Sequence, residues 1–187
     1  MVPVQMDFRA FRDRLPEKAP SSTAHMIGRH LLQMKQTDKL GPPSLKIDGF
    51  VLWVHGRQFP DSEDFYDGNW LNVTAHCGAH GASVWVQGAI LMLTDLERWA
   101  NQCETLYKSL EGEAELRSYE PELRVKINST DTLGHLTMHV EMTPDHMNQK
   151  HAFDFELDQT YLPQLIRDCR EIVVTYPIRG TKEEQNT

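Results

Sequence analysis

Nine histidines in a chain of 187 residues raise metal chemistry first. His135 and His139 share one face of an alternating stretch, four residues apart, which at ~3.3 Å per residue separates them by roughly 13 Å. A single zinc ion holds its nitrogen ligands at about 2 Å and does not span that gap. His76, Cys77 and His80 are closer in sequence, yet residues 76 and 77 point to opposite faces of a strand and no further Cys or His pair completes a set. The expectation is therefore solvent-facing and hairpin histidines, with no metal and no cofactor. Nucleophilic chemistry has even less to build on. The sequence has no Gly-x-Ser-x-Gly elbow and no glycine-rich phosphate loop ahead of a helix. Cys77, Cys103 and Cys169 each fall on a predicted apolar face and are read as small reduced core residues rather than a disulfide or a nucleophile. Carboxylate pairs such as Asp64 with Asp67, or Glu113 with Glu115, are ordinary in a chain with 27 Asp and Glu. No catalytic residue is assigned. The enzymatic alternative, a hydrolase or metal-dependent enzyme, rests on the His/Asp-rich face alone.

Recognition chemistry is better represented. Asp64-Phe-Tyr-Asp-Gly-Asn-Trp-Leu71 reads as a tight turn launching a strand, because Gly68 and Asn69 accept positive φ and an Asp side chain can bond the backbone two residues on. From Trp70 the strand alternates, with Leu71, Val73 and Ala75 on an aliphatic side. Trp53, Trp70 and Trp85 all fall on the other side of three successive strands. Such a group is either covered by a second layer or exposed as a binding patch. Asp64, Tyr66, Asp67 and Trp70, with Trp53 and Trp85, form one candidate partner-binding set. The polar strip His135, His139 and Glu141 forms the other.

The elements that must position these residues follow from periodicity. Strands are predicted at 50–55, 70–77 and 83–87, the last two joined through Gly78-Ala-His-Gly81. Thr94-Asp-Leu-Glu97 has the spacing of a capping box, and Leu96, Trp99, Ala100, Cys103, Leu106 and Leu110 keep helical spacing until Gly112. Four strands follow, near 113–119, 122–128, 133–142 and 151–157. A second helix starts at Thr160, tolerates Pro163 in its first turn and carries Leu162, Leu165, Ile166, Cys169 and Ile172. The expected fold is α+β: a mainly antiparallel sheet in the order βββ-α-ββββ-α, with two long amphipathic helices on one face.

Charge divides the chain unevenly. Residues 1–43 hold seven Lys/Arg against four Asp/Glu, and the remaining 144 hold twelve against twenty-three, so a +3 segment precedes a −11 body. Pro3, Pro16, Pro20 and Gly41-Pro42-Pro43 bracket the basic segment, which reads as an N-terminal helical extension. A single domain is expected over 44–180 and a disordered tail over 181–187. The acidic body argues against nucleic acid and for a basic protein partner. No stretch approaches the ~18 apolar residues of a membrane span, and residues 1–9 lack the basic-then-apolar pattern of a signal peptide, so no membrane association and a cytoplasmic location are expected.

Several separated stretches, in order, are Ile47-Asp-Gly-Phe50 through Phe59-Pro60, Asp64 through Leu71, Leu93-Thr-Asp-Leu96, Tyr119-Glu-Pro-Glu-Leu123, Glu141-Met-Thr-Pro144 and Tyr176-Pro-Ile-Arg-Gly180. Together they resemble the WapI family of bacterial immunity proteins over about residues 45–180. The resemblance implies a cytoplasmic protein that binds a cognate toxin domain, typically a nuclease, as a stoichiometric inhibitor. It implies no catalytic residues. An interaction domain unrelated to toxins is a further alternative, differing only in its partner.

Overall fold

The computed structural model describes residues 40–181. Two four-stranded antiparallel sheets form there, not one. The first runs in the order β1 (Leu45–Ile47), β2 (Phe50–Arg57), β3 (Trp70–Ala79), β4 (Ala82–Met92), and the second in the order β5 (Glu113–Arg117), β6 (Leu123–Ser129), β7 (His135–Met142), β8 (His151–Asp158). Helix α1 (Leu93–Ser109) connects the sheets and α2 (Leu162–Thr175) follows β8. The element order is therefore ββββ-α-ββββ-α, which corrects the expected βββ-α-ββββ-α and the single sheet. The predicted helical extension over 1–43 lies outside the described residues apart from its last four positions, and residues 182–187 of the predicted tail lie outside them too.

Both corrections have local causes. Strand β1 is only Leu-Lys-Ile, too short for alternation to register. Its signal was the Asp48-Gly49 pair, which closes a two-residue hairpin between Ile47 and Phe50 with Asp48 at φ 45°. The second miss was the division into two sheets. Alternation identifies the apolar side of a strand but not which edges join, and each sheet buries its own apolar side in one shared core. Helix α1 packs on α2 and on β5, while α2 reaches β1.

The sheets meet where backbone comes close. A Cβ on Gly49 would stand 2.5 Å from the Gly78 carbonyl oxygen and 2.6 Å from the Phe155 ring, so only glycine lets the β1–β2 turn rest on β8. Gly78 N–H donates to Gly49 O at 3.1 Å and fixes the same junction.

Helix α1 starts one residue before the predicted box. The buried Asp95 carboxylate accepts from Met92 N–H at 3.1 Å and from Arg98 at 2.9 Å, so Asp95 rather than Thr94 or Glu97 closes the N-terminus. Leu110 ends the helix in the left-handed region at φ 55°. Its inner face buries Leu96, Trp99, Ala100, Cys103 and Leu106. Before α2, a 3-10 turn at Gln159–Tyr161 is capped by Asp158, which accepts from Thr160 N–H at 2.8 Å, and Pro163 sits in the first turn of the helix.

Candidate functional site

The turn that launches β3 is built from its own side chains. Asp64 Oδ1 accepts from Tyr66 N–H at 2.7 Å and Asp67 N–H at 3.0 Å, forming an Asx turn that leads into a 3-10 turn at Asp67–Asn69. Tyr66 lies half-buried, edge-on to Phe65 at 5.2 Å, and Asp67 is exposed. Asn69 is fully buried and holds the far end of the chain: its amide donates to Phe65 O at 2.6 Å and Arg179 O at 2.8 Å, and its Oδ1 accepts from Arg179 N–H at 2.9 Å. Arg179 in turn donates from Nη1 to Pro60 O and Ser62 O, each at 2.7 Å. Arg57 bridges Gly68 O and Pro177 O with its two Nη groups. A Cβ on Gly68 would stand 2.6 Å from Ser62 O. The stretch from Phe59 to Leu71 and the distant Tyr176–Gly180 are thus one clasp. The sequence marks Asn69 as a turn residue, but its bonds to Arg179, and the roles of Arg57 and Arg179, depend on contacts more than a hundred residues away and carry no local signal.

The three tryptophans do not form one group. Trp53 and Trp85 stack at 5.8 Å with 19° between their planes, and His76 sits 4.2 Å from Trp85. Ser83 Oγ joins them, accepting from Trp85 Nε1 at 3.1 Å and lying 3.0 Å from His76 Nε2. Trp53 is only 5% exposed. Burial also holds the His76 imidazole below the usual histidine range, favouring its neutral form. Trp70 stands apart, tilted against Tyr119 at 6.4 Å. The turn and Trp70 thus make one region, and Trp53 with Trp85 another.

The outer side of the second sheet is a continuous polar surface. Register sets Arg117, Arg124 and Glu141 in one row across the strands, Glu115, Lys126, His139 and Asp154 in the next, and Glu113, Asn128, Thr137 and Glu156 in a third, with His135 opposite Asp158 beyond. The β5–β6 half neutralises itself. Arg124 pairs with Glu115 and lies 3.6 Å from Glu141, and Lys126 meets Glu113 at 2.7 Å. The β7–β8 half keeps an acidic excess. His139 Nδ1 lies 2.6 Å from Asp154 and its Nε2 3.6 Å from Glu141, while Glu156 makes no ion pair among the described residues. Burial pushes the Glu141 carboxyl up, but Lys150, Arg124 and His139 outweigh it and hold the group below its ordinary range.

His135 Nδ1 lies 2.6 Å from Asp131 Oδ2 on the loop before β7. That hydrogen bond lifts the His135 pKa above its ordinary value and depresses that of Asp131. Because the folded-state value is raised, the pairing stabilises the fold fully below the unfolded histidine pKa and is lost as pH rises through the folded one. Asp131→Asn should return His135 towards its ordinary value, read as an earlier midpoint of its Cε1 proton shift on raising the pH. An unmoved midpoint would show that Asp131 is not the cause.

Among the described residues, no three His, Cys, Asp or Glu side chains come together as metal ligands. The cysteines are buried, and burial pushes the Cys77 and Cys103 thiols up to about 12, which suits packing and not nucleophilic attack. No helix among the described residues is long and apolar enough to cross a membrane.

The architecture is similar to that of several solved structures. WHY3 from Arabidopsis thaliana is 10% identical at TM-score 0.42, over 68% of this chain and 80% of that one. The plant transcriptional regulator PBF-2 is 12% identical at 0.41, over 73% and 87%. The MRP1/MRP2 structure from Trypanosoma brucei is 12% identical at 0.41, over 87% and 98%. Likeness at this level transfers no function. Among curated proteins none matches. A family model described as the immunity protein WapI-like family matches residues 44–177.

Proposed function

The chain belongs to the WapI-like immunity protein family, and from that premise we propose that it neutralises a cognate toxin domain by forming a one-to-one complex with it in the cytoplasm. The family match carries this reading. It covers both sheets and both helices, so it is the folded body that has to supply the binding surface.

The charge of that body supports a basic partner. A nuclease domain that grips a phosphate backbone is cationic, and a −11 surface complements it. Inhibition by occlusion needs no catalytic group in the inhibitor. It needs a surface that excludes substrate and an encounter fast enough to precede damage, and opposite charge accelerates that encounter.

Of the two candidate sets, the outer side of the second sheet is the better contact surface. His135, His139 and Glu141 stand there on rigid strands beside exposed carboxylates. Asp64 and Asn69 are spent on the turn, and Trp53 is buried. Asp67, Tyr66, Trp70 and Trp85 retain partial or full exposure and form a secondary contact region.

Co-expression with the toxin domain encoded beside this gene tests the reading. Restored growth together with a stable complex of one copy each, sized by light scattering, is expected. Failure to bind the toxin in either assay would overturn it.

A further inference from the structure

Three guanidinium groups among the described residues are neutralised by close carboxylates: Arg98 by Asp95, Arg124 by Glu115 and Glu141, and Arg170 by Glu104. Arg117 and Arg167 make no ion pair there but are exposed to solvent, whereas Arg57 and Arg179 are half-buried. Arg57 makes no ion pair among the described residues, and Arg179 has only Glu63, 3.7 Å away with its side chain 81% exposed. Both line a cleft of about 690 Å³ between the end of β2 and the segment after α2, together with His55, Thr175 and Tyr176.

Their hydrogen bonds leave the charge in place. Arg57 spends its two Nη groups on carbonyls, and Arg179 spends Nη1 on two more. A carbonyl accepts a hydrogen bond without cancelling a unit charge. Of the five N–H donors on each fork, those on Arg57 Nε and Arg179 Nη2 have no acceptor among the described residues. We propose that this cleft is a binding site for an oxyanion, held on the unspent donors of Arg57 and Arg179.

The electrostatics agree with the geometry. Burial and the Arg179 charge both disfavour the Arg57 cation, with Glu63 and Tyr176 opposing them. Two like charges with one solvated counter-ion form a local positive field inside an acidic protein, and an anion in the cleft would relieve it. Guanidinium forks match phosphate and carboxylate geometry in the same way. The clasp pre-orders the site, because the carbonyls of Pro60, Ser62, Gly68 and Pro177 fix both forks before any ligand arrives. This site stands apart from the toxin-binding reading and does not depend on it.

Isothermal titration of the full chain with potassium phosphate, against potassium chloride at matched ionic strength, tests the proposal, with a parallel arm in acetate. Saturable one-to-one binding is expected, with amide shifts confined to Gly56–Arg57 and Thr175–Arg179. Binding in the phosphate arm assigns a tetrahedral oxyanion, and binding in acetate alone assigns a carboxylate. Thr175→Glu would place a competing carboxylate in the cleft without touching either arginine, and should weaken binding at least tenfold. Thr132→Glu, the same added charge on the β6–β7 loop, should leave it unchanged. Arg57→Gln should match Thr175→Glu if it folds, and Thr175→Glu decides alone if it does not. No saturable binding in either arm, or equal binding by Thr175→Glu and the wild type, would overturn the site.

Discussion

Replacing Asn69 by alanine is expected to destabilise the protein by about 2–4 kcal/mol, a large share of what a domain of this size commands. The side chain is fully buried and serves three backbone groups: Phe65 O, Arg179 O and Arg179 N–H. Alanine removes all three partners and leaves a small void that water fills poorly, so the cost is the desolvation of stranded groups rather than the modest net value of a hydrogen bond. At about 2–4 °C per kcal/mol, the melting point should fall by roughly 5–15 °C. The loss should have a direction within the fold. Amide exchange at Arg179 and Gly180 should accelerate more than at the centre of β6, because the clasp opens before the core does. Asn69→Asp keeps an acceptor for Arg179 N–H but loses both donations and buries a charge, so it should be no better than alanine. A midpoint shift below ~1 kcal/mol, or exchange that rises evenly through the chain, would show that the clasp does not depend on Asn69.

Asn69 also shows where reading the sequence stops. Asp-Gly-Asn was legible as a turn because turn chemistry is local, here Asp64 bonding the backbone two and three residues on, although the segment turns as a 3-10 helix and does not use the positive φ open to Gly68 and Asn69. That the same Asn ends up bonded to residue 179 is a property of the assembled fold. The same division runs through the other elements. Leu123, Val125 and Ile127 announced an alternating strand, and the spacing from Leu96 to Leu106 announced a helix, because those periods persist over many residues. Strand β1 has three residues and no period. The cap of α1 was placed at Thr94 by pattern, whereas the buried Asp95 holds it, since a box motif does not say which of two adjacent acceptors faces inward. The tryptophans were read as one group from face parity. Register sets Trp53 beside Thr74 and Trp85 beside His76, whereas Trp70 stands at the start of β3 and packs on Tyr119 from a different sheet's hairpin. Parity gives the side of a strand and not the distance along it. For the polar strip, the residues were legible as exposed, while their partners were not. Asp131 lies on the preceding turn and Asp154 on the neighbouring strand, whose placement only the fold supplies.

That register carries the second large prediction. If the outer side of the second sheet meets a basic toxin domain, reversing two charges on its acidic half should slow association more than reversing two elsewhere. Asp154→Lys with Glu156→Lys changes the strip by four units of charge while leaving the inner side of β8, Phe153, Phe155 and Leu157, untouched. Both side chains are exposed, so the fold should survive. Electrostatic steering acts on the encounter, so the association rate should drop about 10–100-fold at low salt, with a smaller change in dissociation. The gap should narrow as salt shortens the screening length from about 30 Å at 0.01 M to about 3 Å at 1 M. Net charge alone would produce some slowing, and a matched control separates the two effects. Glu97→Lys with Glu171→Lys makes the same change on α1 and α2 instead of on β8. A local contact predicts that the strip variant is the slower by tenfold or more and also protects cells less well, since the carboxylates it lost would have faced the toxin's cations directly. Equal slowing by both variants would mean that the acidic body attracts the toxin from every side. The contact surface would then have to be sought around Trp70 and the turn that launches β3.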